Sequence, residues 1–394
     1  MAEFPWIISV DDHVVEPPDL WQTRLPTQFR EVGPRVVRSG ISAMGNEGGV
    51  YSFVEDPGAT PCDFWLFEDL RYPMTRVMAA AGYAREDVRV VPVTFDEMRP
   101  GCYDPAERIA DLEAAGIDGS LSFPTWIRFC GQALSEAHDK ELGLACIEAY
   151  NDWMVEEWCA DPKLIPLIVV PLWDPTLAAA EVRRNAGRGV RAVTFSEIPA
   201  YLGYPSIHSH DRWWDPFFAA CNETATVINM HIGSGSRMPS TSVDAPMMVQ
   251  STATFTNCML SLCDWLFSGA FARFPGLKIA YSEGQIGWIP YVLERADHVW
   301  RENRGSSGAD ILPDPPSTYF AQHVHGCFFA DQFGLDNIDR IGVDNVLFEC
   351  DYPHQDSTWP HTRKLAEEMT AGMRPDVIEK IMRGNAIRLF GLDR

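Results

Sequence analysis

Eight hydrophobic runs recur along the chain, each giving way to polar or charged positions: Trp6 to Val10, Gly119 to Phe123, Leu164 to Val170, Val190 to Phe195, Ala225 to Met230, Leu277 to Tyr281, His323 to Phe329 and Val346 to Cys350. Most are continuously apolar, the pattern of strands covered on both faces in a parallel sheet. Helical spacing precedes several of them: ERIADLEAAGID before the second, AAAEVRRNAGRG before the fourth and WDPFFAACNET before the fifth. In the first of these, Ile109, Leu112 and Ala115 share one face and Gly116 supplies a stop. Eight strands with intervening helices predict an α/β protein of the (β/α)8 TIM-barrel type. A doubly wound sheet fits the same alternation, but its Gly-rich phosphate loop is missing from the sequence.

Two stretches interrupt this rhythm. Residues 14 to 105, rich in Gly, Pro and aromatics, follow the first run, and Gly233 to Phe255 follows the fifth. Both are read as long excursions after strand ends, where barrel active sites are built, and are expected to cover the barrel mouth. The 394 residues are thus read as one barrel domain, with 14–105 inserted over its mouth.

Composition narrows the class. A hydrophobic fraction of 46% with 22% charged residues predicts a globular chain with a large core. No run approaches the roughly 18 apolar residues needed to cross a bilayer. The start MAEFPWIISV has an acidic residue where a signal peptide would be basic, so a cytosolic protein is expected. A net charge of −23 argues against nucleic acid and membranes as partners. The ten cysteines are scattered without a C-x-x-C pair and are read as reduced core residues.

The first polar residues after the runs are selective. Run one ends in Asp11, Asp12 and His13, run five in His231, run six in Glu283, and run eight in Asp351 and His354. Carboxylates and imidazoles are the ligands of Zn²⁺, Mn²⁺ or Fe²⁺. Residues i and i+2 of a strand face the same way, so Asp11 and His13 form a chelating pair while Asp12 points outward. The alternative, a solvated strand end, is weakened by His231 and Asp351 at comparable places.

The segments VDDHVVEPPDLW, INMHIGS, FPGLKIAYSEGQIGWIPYVLERAD and VLFECDYPHQDSTWP closely resemble the amidohydrolase-related family of metal-dependent barrels, which includes aminocarboxymuconate semialdehyde decarboxylase, resorcylate-type decarboxylases and several ring-cleavage-product hydrolases. The resemblance implies that Asp11, His13, His231 and Asp351 are metal ligands and that Asp351 also transfers protons. Where the family usually presents a histidine after strand six, this chain has Glu283. Binuclear relatives commonly use a lysine after strand four; here AVTFSEIP has none, so one divalent transition ion is expected, zinc first, with manganese and iron as alternatives. Glu197, at that strand end, is read as a substrate-facing or solvent-facing carboxylate.

Other candidates are less distinctive. Arg128 in FPTWIRFCG can clamp a carboxylate or carbonyl in bidentate fashion, or stack on Trp126. Arg128, Trp126 and Glu197 form the expected substrate-binding set. His354 and Glu283 join Asp351 as catalytic candidates; His354 can donate a proton or bond within its loop to Asp356 or Ser357, and Glu283 can act directly or orient neighbours. His208, His210, His323 and His325 are read as outside the site.

The leading expectation is hydrolysis of a C–N, C–O or activated C–C bond in a small aromatic or cyclic molecule, with metal-bound water as nucleophile and Asp351 as general base and acid. Non-oxidative decarboxylation is the alternative, with Asp351 delivering a proton to carbon. A non-catalytic barrel is a remote third. A homodimer acting on a small-molecule substrate completes the expectation.

Overall fold

The computed structural model describes residues 4–47, 50–303, 305 and 312–393. Residues 48–49 of the inserted segment lie outside the described residues. Strand β1 (Ile7–Val14) opens the barrel. The chain then departs to form β2 (Arg35–Glu47), β3 (Val50–Glu55), β4 (Thr60–Phe67) and β5 (Leu70–Pro73), an antiparallel sheet of order β3-β2-β4-β5. It returns through the helix Pro105–Ala114, whose N-cap Asp104 accepts from the N–H groups of Ala106 and Glu107.

The remaining strands are β6 (Ile117–Pro124), β7 (Leu164–Ile165), β8 (Leu167–Ile168), β9 (Ala192–Phe195), β10 (Val227–His231), β11 (Ile279–Ser282), β12 (Val324–Phe328) and β13 (Val346–Phe348). All eight predicted runs contain strand. The third is split at Pro166, which has no N–H to give to a ladder, so β7 and β8 pair with different neighbours. Two parallel ladders result, β1-β6-β7 and β8-β9-β10-β11-β12-β13. They close on each other where Asp351 N–H donates to the Asp11 carbonyl at 2.8 Å and His13 N–H to that of Tyr352 at 2.6 Å.

Ile8, Val10, Leu121, Phe123, Leu167, Val227, Ala280, Cys327 and Leu347 fill the barrel interior, with Phe390 of the last helix packed against them. The alternate residues face the outer helices, which explains why the runs read as apolar throughout.

The insertion folds as a sheet with a core of its own. Ile41, Cys62 and Phe64 form a small core on one face, while Trp65 and Phe67 join the main core. Trp21, Trp65 and Trp126 pack together, Trp65 stacked on Trp126 at 4.8 Å and Trp21 edge-on to both. Replacing Trp65 by Ala is expected to lower the unfolding free energy by about 3–5 kcal/mol, measured by urea denaturation. The insertion reaches the mouth: Ala80 N–H donates to the Pro353 carbonyl at 2.7 Å, and Gln355 N–H to that of Val77 at 3.0 Å. Within the Gly233 to Phe255 stretch, read as loop, Met247–Ala253 is a helix with no buried residue.

Candidate metal centre and active site

The end of β1 departs from simple alternation. Ile8 and Val10 point inward, so Asp12 should follow them. A register shift against β6 between Ser9 and Asp12 reverses the phase, the usual effect of a bulge. Asp11 and His13 therefore face the mouth, and Asp12 turns outward, where it accepts from Ser120 Oγ and from Tyr352 N–H at 2.9 Å. Ser9 Oγ stitches the irregular turn, donating to the Asp11 carbonyl at 3.1 Å and accepting Cys350 N–H at 2.9 Å. Behind it the buried Arg108 donates to the His13 carbonyl at 2.6 Å.

The inward side chains converge. His13 Nε2 lies 3.1 Å from His231 Nε2, 3.7 Å from Asp11 Oδ1 and 3.3 Å from Asp351 Oδ1. His231 Nε2 is 3.5 Å from Asp11 Oδ2 and 3.7 Å from Glu283 Oε2. His354 stacks on His13 at 3.5 Å between ring centroids and places Nδ1 3.3 Å from Asp351 Oδ1. Two overlapping sets of metal-capable groups result: Asp11, His13 and His231, and His13, Glu283, Asp351 and His354.

A divalent cation fits this cluster. All four carboxylate oxygens of Asp11 and Asp351 are buried without a hydrogen-bond partner among the described residues, a costly state for an anion unless a cation completes it. His231 Nδ1–H is placed to donate to the Ile232 carbonyl at 2.6 Å, leaving the Nε2 lone pair directed at the cluster. Burial pushes the His231 imidazole down to about 4, so it stays neutral, as a ligand must. Burial and the neighbouring Glu349, Glu283 and Asp351 raise Asp11. For Asp351 burial acts upward, but the His354 and His13 imidazoles outweigh it and hold the carboxylate well below its ordinary range. The donor set is hard and mixed N/O, suited to zinc, manganese or iron(II).

Glu283 enters the pocket by a route that alternation alone does not supply. In the β10–β11 ladder it is Ser282 that pairs with His231, so Glu283 stands one residue beyond. Its φ of +56° turns the chain and brings the carboxylate back over His231. Arg128, Ser236, Gln285 and Asp351 also have positive φ at this mouth, each costing on the order of 1–3 kcal/mol. Strain of this kind concentrates where side-chain placement matters more than local stability.

Of the three residues expected to bind substrate, Trp126 needs correction, and Arg128 and Glu197 have other partners. Trp126 is fully covered within the tryptophan cluster and presents no surface to a substrate. Arg128 does not stack on it; it ion-pairs with Glu136 and donates to Ser236 Oγ at 3.1 Å, joining the loops after β6 and β10. Glu197 is neither solvent-facing nor turned to a ligand through Oε1, which accepts from Gly233 N–H at 3.0 Å, Gly235 N–H at 3.4 Å and Asn257 Nδ2 at 3.0 Å. It pins the turn after His231. Of the other histidines, His208 pairs with Asp264 at 3.1 Å outside the site, and His323 ends a helix, stacked on Phe271.

Sequence reading missed four participants. Glu349 lies two residues before Asp351 and two after the inward Leu347, so the period of two could have found it. Phe129 stacks on His231 at 4.0 Å and meets His13 edge-on at 5.4 Å; nothing in RFCG announces this. Glu16 accepts Thr125 and Trp126 N–H at 3.1 Å each, anchoring the loop after β6. Arg108 backs the β1 bulge.

Fold and donor set together define a metal-binding (β/α)8-barrel enzyme. The chain belongs to the amidohydrolase family, whose model it matches over residues 60–392. It is 24% identical over 311 residues to 2-amino-3-carboxymuconate-6-semialdehyde decarboxylase of Dictyostelium discoideum, covering 76% of this chain and 80% of that one. It is 25% identical over 310 residues to gamma-resorcylate decarboxylase of a Rhizobium species, covering 73% and 86%. A solved structure of 5-carboxyvanillate decarboxylase from Novosphingobium aromaticivorans, complexed with manganese and 4-hydroxy-3-methoxy-5-nitrobenzoic acid, is similar with a TM-score of 0.65 at 17% identity, covering 98% of this chain and 96% of that one. These relatives favour the decarboxylase alternative over the hydrolase first expected. Among the described residues no helix is long and apolar enough to cross a membrane.

Proposed function

We propose that this protein is a metal-dependent carboxy-lyase that releases carbon dioxide from an aromatic or unsaturated carboxylic acid. The observation that carries the reading is the convergence of Asp351 with His13, His231, Asp11 and Glu283 in a chain whose matched relatives are decarboxylases of such acids. A divalent ion held by Asp11, His13, His231 and Asp351 would supply positive charge to anchor the substrate carboxylate and an adjacent oxygen.

The chain's own groups do the rest. Asp351, ionised at rest, takes a proton from His354, 3.3 Å away, and delivers it to the carbon that keeps the electron pair as the C–C bond breaks. Phe129 shields the histidine face from water. Glu283 adds a carboxylate beside the bound acid and disfavours dianions, so singly charged acids are the preferred class. One ion per chain is part of the proposal, with manganese suggested by the solved relative and zinc by the sequence. So are a homodimer, a cytosolic location and the lack of nucleic-acid or membrane partners.

The test is carbon dioxide release from a singly charged hydroxybenzoate such as 2,6-dihydroxybenzoate, with the dicarboxylate 5-carboxyvanillate expected to be the poorer substrate. Chelation should abolish release and Mn²⁺ should restore it. Water-dependent cleavage of amides or lactones without carbon dioxide from any acid would return the enzyme to the hydrolases.

A further inference from the structure

Glu349 is buried inside the barrel just below the metal cluster, and neither proton transfer nor the expected ligand set uses it. Its two oxygens share one donor: Glu283 N–H lies 3.2 Å from Oε1 and 3.1 Å from Oε2. No other hydrogen bond to its carboxylate is seen among the described residues. The donor is a non-glycine residue at φ +56°, a conformation that persists only where its surroundings enforce it. Glu283 is also out of phase with its strand, since Ser282 occupies the position paired with His231. The turn that brings its carboxylate to 3.7 Å from His231 Nε2 therefore depends on where its N–H is held.

We infer that Glu349 is a positioning residue: by accepting the Glu283 N–H with its carboxylate it fixes the left-handed turn at Glu283 and so aims the Glu283 side chain at the metal centre. The inference rests on the metal centre of the proposed function but not on the substrate. Leu347, Glu349 and Asp351 share one face of β13 and its extension. The strand that presents a ligand thus also presents the group that orders the neighbouring strand's end. Where the family usually has a histidine after strand six, this chain uses two carboxylates, one in the pocket and one beneath it.

The test is a double-mutant cycle read by Mn²⁺ affinity, with free Mn²⁺ followed by electron paramagnetic resonance, which needs no turnover. Glu349→Ala should weaken Mn²⁺ binding by about 5–10-fold, less than the loss of a ligand, because Glu283 stands beside the four-ligand set and contributes the attraction of one further carboxylate. In a Glu283→Ala background the same change should shift affinity by no more than about twofold, because the side chain it aims is gone. Glu349→Asp, which keeps the charge but withdraws it from the N–H, should behave like Glu349→Ala. It also serves if the alanine variant fails to fold. Equal weakening in both backgrounds, or full affinity in Glu349→Asp, would show that Glu349 acts by charge or bulk and overturn the inference. A wild type that binds no Mn²⁺ would overturn this role and the metal centre together, whereas Mn²⁺ binding without carbon dioxide release would overturn only the proposed reaction.

Discussion

His231→Ala should leave the purified protein almost free of metal, against about one ion per chain in the wild type, as measured by elemental analysis. The imidazole has its Nδ1–H committed to the Ile232 carbonyl, so Nε2 is its only free electron pair, and that atom lies 3.1 Å from His13 Nε2. If about 10–16 kcal/mol of apparent metal affinity is spread over four ligands, one is worth roughly 3 kcal/mol, or about a hundredfold in affinity. Phe129 would lose its stacking partner, but both rings sit at the mouth and the barrel core below is unaffected. A thermal transition that moves little while metal content collapses is the expected pair of results. Equal metal in both proteins would remove His231 from the ligand set.

The second large effect is expected for Asp351→Asn. Turnover should fall by about 10³-fold even at saturating Mn²⁺, within the about 10²–10⁴ that a positioned proton donor contributes. Asn preserves volume and the φ of +62°, because Asn tolerates the left-handed region, so the backbone bonds that close the barrel at Asp11 and Tyr352 survive. It removes the proton-carrying oxygen 3.3 Å from both His13 Nε2 and His354 Nδ1. Substrate affinity should change far less than kcat. A variant with wild-type kcat would transfer the proton role elsewhere, first to Glu283.

The histidine and aspartate candidates were readable because strand ends in a barrel all point to one face. Asp11, His13, His231 and Asp351 each follow an apolar run directly, and the closed sheet does the converging. Trp126 was misassigned, and one oxygen of Glu197 was claimed by the backbone, for one reason. A strand-end position shows that a residue is near the mouth, not which way it turns. The Glu197 carboxylate was captured by backbone N–H groups of the next loop, and Trp126 by two tryptophans far away in the chain.

The eight strands and their order of residues follow from local chemistry: burial on both faces demands continuous apolar runs, and these can be counted in one dimension. The inserted sheet escaped because β2, RVVRSGISAMGNE, mixes charge, glycine and small residues, and becomes a strand only by pairing with β3 and β4. Phase at the end of β1 follows the donor chemistry of Asp11 and His13, not the alternation set by Ile8 and Val10. Alternation is a local property, but which face looks inward is set by register against the neighbouring strand, and the shift between Ser9 and Asp12 exchanges Asp12 for Asp11 and His13. Glu283 is the extreme case: it is aimed by a carboxylate on another strand, Glu349, and a backbone turn held by a distant acceptor leaves no mark on the residues around it.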